Sequence, residues 1–108
     1  MTIDQIKEIG RRLLHGIDPS AEVVRIYAYG SRVRGDDHIG SDLDFLIELR
    51  QVTPAVKREI LDRAWELSLD EGYVISVVLV HPEAFEKGPL SRSAFAENIR
   101  REGVEIAA

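Results

Sequence analysis

The chain has 108 residues, 44% hydrophobic and 31% charged, a balance that fits one soluble folded domain and excludes intrinsic disorder as its main description. Fourteen Lys and Arg against nineteen Asp and Glu leave a formal charge of −5, so tight non-specific duplex DNA binding is not expected, although a nucleotide held through a metal stays compatible. With no cysteine, disulfide scaffolds, zinc–thiolate sites and cysteine nucleophiles are excluded; no apolar run approaches the ~20 residues of a membrane span, and Asp4 and Glu8 argue against a signal peptide, making the cytoplasm the expected compartment.

Thr2-Ile3-Asp4-Gln5 has the form of a capping box, and Ile6, Ile9 and Leu13 recur at helical spacing. A first helix is predicted over about residues 3–15, ended by Gly16 and Asp18-Pro19. Val23 to Tyr29 is β-branched and aromatic, a strand stopped by Gly30, and residues 30–41 read as a structured loop. Asp42 to Leu49 alternates Asp42, Asp44, Leu46 and Glu48 with Leu43, Phe45, Ile47 and Leu49, the pattern of a second strand.

Thr53-Pro54 opens a helix with the apolar stripe Val56, Ile60, Ala64 and Leu67, closed by Gly72. Tyr73 to Val80 is almost wholly apolar, which predicts a third strand in a central, covered position. His81-Pro82 and Gly88-Pro89 are breaks, and a last helix carries Phe95, Ala96 and Ile99 before Gly103. The order α-β-β-α-β-α predicts an α/β (α+β) fold, a small mixed sheet with helices packed on it, in a single domain over residues 1–108.

Asp42 and Asp44, two apart on one strand, put both carboxylates on one face, roughly 6.6 Å apart at Cα. Like charges so placed destabilise each other, and a divalent cation, Mg²⁺ or Mn²⁺, relieves that. The alternative is that Asp42 belongs to the Gly40-Ser41 turn and Asp44 is simply exposed. Gly30-Ser31, directly after a strand, suits the approach of phosphate oxygens to backbone N–H groups and a hydroxyl, with Arg32 and Arg34 adding phosphate contacts. Here the alternative is a tight turn with two solvated arginines. Neither a Walker A loop nor a dinucleotide fingerprint is present.

Taken together, Gly30-Ser31-Arg32-Val33-Arg34-Gly35 and Ser41-Asp42-Leu43-Asp44-Phe45, with ten residues between Ser31 and Asp42, resemble the signature of the DNA polymerase beta-like nucleotidyltransferase superfamily, in its minimal nucleotidyltransferase branch. The resemblance implies a nucleotidyltransferase domain that moves a nucleotidyl group, AMP from ATP, to a hydroxyl acceptor. It implies Asp42 and Asp44 as catalytic metal ligands, and Gly30, Ser31, Arg32, Arg34 and Ser41 as the nucleotide-binding residues. Active members of the superfamily carry a third carboxylate on the neighbouring strand, a position that counting from Gly72 assigns to Ser76. Serine is a poor metal ligand and a poor base. The rival expectation is therefore a weak or inactive nucleotide-binding module of toxin–antitoxin type, docked on a small helical HEPN-type partner or self-associated. Glu48, Asp36, Asp37, Asp70 and Glu71 are the other acids weighed for the vacant role, and His38 as a further metal ligand. Trp65 is expected in the core or at a partner contact.

Overall fold

The computed structural model describes residues 1–38 and 40–106. Thr2 caps the first helix, α1 (Ile3–Leu14), by the reciprocal pair that its sequence predicts: Gln5 N donates to Thr2 Oγ1 at 3.1 Å, and Thr2 N to Gln5 Oε1 at 2.8 Å. Ile6, Ile9 and Leu13 are buried. A short 3₁₀ turn at Pro19–Ala21 leads to β1 (Val23–Tyr29), and the loop after it contains a one-turn helix, α2 (Ser31–Arg34). The next strand, β2, is Leu43–Leu49, so Asp42 lies just ahead of it rather than on it.

The middle helix, α3 (Pro54–Glu71), starts with Thr53 Oγ1 accepting from Val56 N and ends at Gly72, whose φ of 81° is a left-handed conformation natural to glycine. Ser68 then joins helix to strand, its Oγ donating to Ala64 O at 2.7 Å and accepting from Ile75 N at 2.9 Å. The chain continues through β3 (Ile75–Val80), α4 (Pro82–Glu86), α5 (Ala94–Glu102) and β4 (Val104–Ile106).

The four strands lie in the order β3-β2-β1-β4; β2 and β3 run parallel across the α3 crossover, and the other pairs are antiparallel. Alternation along β2 sends Leu43, Phe45, Ile47 and Leu49 to the face covered by α1 and α3. Leu46 goes to the opposite face, where Phe85, Ala96 and Ile99 from α4 and α5 meet it. The sheet is thus mixed and helix-covered, as the element pattern predicts. The predicted place of the third strand is corrected: β3 is an edge, and Ser76 to Val80 are partly exposed. The inner strands are β2 and β1, and the far edge beside β1 is β4, a three-residue strand too short to register as alternation in the sequence. No helix among the described residues is long and apolar enough to cross a membrane.

One buried side chain in β2 is an acid. The Glu48 side chain is 1% exposed, its Oε2 lies 3.2 Å from Arg25 Nε, and neither carboxylate oxygen has a well-formed hydrogen bond. Burial raises its pKa more than Arg25 lowers it, and Glu86 and Glu105 add to the rise. A carboxyl with a folded-state pKa above its unfolded value costs stability once the pH exceeds both. Glu48→Gln is expected to raise stability at neutral pH by about 1 kcal/mol. The gain should vanish at about pH 3, where the acid is protonated folded or unfolded; thermal melts at the two pH values measure it.

Candidate active site

Antiparallel register pairs Tyr29, the last residue of β1, with Asp44 near the start of β2. The turn that leaves β1 is thereby delivered against a carboxylate. Gly30 adopts φ 90° and ψ −165°, a region essentially closed to residues with a Cβ. A Cβ there would also fall 2.6 Å from Asp44 Oδ2. Glycine is required twice over, by backbone and by neighbour. Gly30 O accepts from Val33 N and Arg34 N at 3.1 Å each, which starts α2. The N–H groups of Ser31 and Arg32, in that first turn, find no backbone acceptor among the described residues.

Asp44 is half-buried and Asp42 exposed. Burial raises the pKa of Asp44, and the charge of Asp42 raises it further. No hydrogen bond or cation offsets that cost among the described residues. The Tyr29 phenol beside it is pushed up to about 12 by burial and then by Asp44. Its ring stands edge-on to Phe95, with centroids 5.4 Å apart and planes at 89°. Tyr29 and Phe95 are site neighbours that the motif alone does not reveal, since Phe95 comes from α5.

Ser76 on β3 is the register partner of Asp44. The other acids are occupied by arginines: Glu48 faces Arg25, Asp36 lies 3.3 Å from Arg34, and Asp37 lies 3.4 Å from Arg32. Asp70 and Glu71 sit 3.9 Å and 3.0 Å from Arg12. Among the described residues no group of three or more His, Asp or Glu gathers as a metal cage. Asp42 and Asp44 remain, and two carboxylates fit a Mg²⁺-like ion, which keeps several waters and takes substrate phosphates as further ligands.

The two arginines of the motif differ in their surroundings. The Arg32 side chain is only 11% exposed; its Nε donates to Ser41 O at 2.9 Å, and its guanidinium lies 4.4 Å from the Tyr73 ring centroid. Ser41 is buried, with Oγ accepting from His38 N and its own N donating to His38 O, each at 3.0 Å. Arg32 and Ser41 therefore hold the loop together. Arg34 is exposed and forms longer pairs, 3.3 Å to Asp36 and 3.5 Å to Glu102. Solvent-screened pairs of that kind are weak, so its guanidinium is readily redirected. Trp65 is on the surface of α3, not in the core.

The fold has solved relatives. A toxin-antitoxin crystal structure with AMP-PNP superposes with a TM-score of 0.59 at 19% identity, over 94% of this chain and 73% of that one. A tyrosine-to-alanine mutant of the toxin-antitoxin MntA-HpeT gives 0.60 at 17% identity, over 100% and 73% of the two chains. A second MntA-HpeT mutant, with two aspartates changed to glutamate, gives 0.56 at 16% identity, over 94% and 72%. No curated protein matches the sequence. The sequence model of one family, described as "Nucleotidyltransferase domain", matches residues 3–104, a span that contains Gly30, Asp42, Asp44 and Ser76, and the chain belongs to that nucleotidyltransferase family.

Proposed function

We propose that the chain is a metal-dependent nucleotidyltransferase moving an AMP group from ATP to a hydroxyl acceptor on a partner protein. One observation carries this reading. Asp44 is a half-buried carboxylate without a compensating partner among the described residues, set beside a second acid and against a glycine turn whose backbone N–H groups find no backbone acceptor there. The acid pair favours a divalent cation and the turn favours phosphate oxygens. Family membership and a structural neighbour crystallised with AMP-PNP support the nucleotide. In another neighbour the two substituted aspartates are two positions apart, the spacing of Asp42 and Asp44.

In this reaction the acceptor oxygen bonds to the α-phosphorus while the bond from that phosphorus to its bridging oxygen breaks. Pyrophosphate leaves and the hydroxyl proton passes to water. Asp42 and Asp44 would hold the divalent cation, Mg²⁺ or Mn²⁺. Such a cation, when bound, supplies Lewis-acid stabilisation of α-phosphate charge and lowers the pKa of the acceptor hydroxyl. The turn at Gly30 and Ser31 holds phosphates through the N–H groups of Ser31 and Arg32 and the Ser31 hydroxyl. Arg34 exchanges its weak surface pairs for the departing pyrophosphate, and Arg32 and Ser41 keep the loop in shape for both.

A second reading is favoured by Ser76, a neutral hydroxyl beside Asp44 on the adjacent strand. Serine adds no charge to a metal site and takes no proton at neutral pH. On this reading the chain is a weak or inactive nucleotide-binding module, antitoxin-like, that docks a small helical HEPN-type partner. Toxin-antitoxin neighbours support a protein partner under either reading.

Calorimetric titration of ATP with Mg²⁺ is expected to show binding to the wild type and at least tenfold weaker binding to Asp42→Ala; heat from neither protein would remove the nucleotide site. Ser76→Asp should raise transfer of labelled AMP to the partner about tenfold or more if the serine leaves an acid's role unfilled. An unchanged rate would mean that position 76 has no part in the chemistry. Asp44→Asn removes a carboxyl with a raised folded-state pKa, so in EDTA at neutral pH it should melt a few degrees above the wild type. With Mg²⁺ and ATP present, only the wild type should gain further stability.

A further inference from the structure

The large apolar side chains left on the surface are grouped. Trp65 and Leu69 are each 67% exposed, Val74 is 55% exposed and Leu61 41%. Leu61, Trp65 and Leu69 recur every fourth residue along α3, offset from the buried stripe of Val56, Ile60, Ala64 and Leu67. The other flank of α3 turns toward α1, where Arg63 Nη1 donates to Arg12 O at 2.7 Å. The apolar stripe therefore looks outward past β3. A shallow pocket lined by Trp65, Leu69, Tyr73 and Val74 joins it to the chain entering that strand.

β3 is the other half of this surface. It pairs with β2 along one side, and among the described residues no strand takes the other side. Ile75–Val80 has no charge and no proline, so it lacks the usual devices that keep an edge strand from pairing. Its composition is that of an inner strand, yet its position is an edge.

We propose that two copies of this chain pair β3 with β3, antiparallel, about a twofold axis normal to the sheet, joining two four-stranded sheets into one. The occupant is argued from chemistry. An open row of strand N–H and C=O groups is satisfied by another strand and not by a helix, whose backbone groups are already paired. An axis normal to the sheet keeps like faces together, so the same operation lays the two α3 helices side by side and antiparallel, stripe against stripe. The charges then complement each other. Lys57 and Arg58, at the N-terminal end of the stripe, reach the C-terminal end of the other copy's α3, where the helix dipole is negative. One contact thereby covers both the edge and the stripe. The pairing goes beyond the nucleotide reading and stands or falls without it.

Sedimentation equilibrium over a concentration series tests the pairing, with the double variant Trp65→Glu/Leu69→Lys, whose sites lie outside the nucleotide machinery. The wild type is expected at twice the chain mass at micromolar concentration and the variant at the chain mass. Trp65 is the sole tryptophan, so wild-type emission should shift to the red on dilution. Amide exchange in β3 should slow as concentration rises; neither this nor the emission needs a variant. A wild type that stays at the chain mass across the series overturns the proposal, as does a dimer unaffected by the double variant. Dimerisation with β3 exchange unchanged overturns the strand pairing. A monomer whose stripe is instead required to bind a small helical protein overturns the choice of occupant.

Discussion

The site depends on one close approach, that of the Asp44 carboxylate to the bare Cα of Gly30. It exists because Tyr29 and Asp44 are opposed in the β1–β2 register. That register is held by residues with no chemical role. Leu43 and Phe45, on either side of Asp44, are fully buried under α1 and α3. Sliding the strand by one residue would push both into the other face and carry the carboxylate into the core. Hydrophobic alternation along β2 thus aims an acid, and the glycine turn completes the aim.

Charge around the site follows the same division between holding and acting. The acids Asp36, Asp37, Asp70 and Glu71 each meet an arginine, whereas Asp44 meets no cation among the described residues and lies beside a second acid and a tyrosine. An unrelieved carboxylate is a local cost that the fold tolerates because burial elsewhere outweighs it. Of the arginines in the loop, Arg32 is fixed under Tyr73 and against Ser41, while Arg34 is exposed. Residue type alone makes the two look equivalent. Burial separates the one that shapes the loop from the one held only by solvent-screened pairs.

What could be read from the residues was local. The capping box at Thr2 and Gln5, the bounds of β1, the buried stripe of α3 and the turn at Gly30 all follow from neighbours within a few positions. The place of Ser76 beside Asp44 came through the family resemblance, with the count taken from Gly72, and not from the pattern of β3 itself. Features set by distant partners were not legible. An apolar run such as Ile75–Val80 reports that it wants cover, not which element supplies it. The three residues of β4 show no period of their own, and the stacking of Phe95 on Tyr29 joins parts of the chain that have no local relation. Arg32 against Tyr73 belongs to the same class.

β4 also bears on how the domain forms. Ile106, on this strand, closes over Gly10 of α1 and Phe45 of β2, and its neighbours pair with the centre of β1. β1 therefore keeps an open edge until β4, made much later in the chain, arrives, and the core beneath it cannot be sealed earlier. Contacts that span so much of the chain slow two-state folding, because loop closure must precede the interactions that reward it. During synthesis from the ribosome, the β1 edge would stay unpaired while β2, α3 and β3 are already available to fold, so the order of emergence places sheet completion after them.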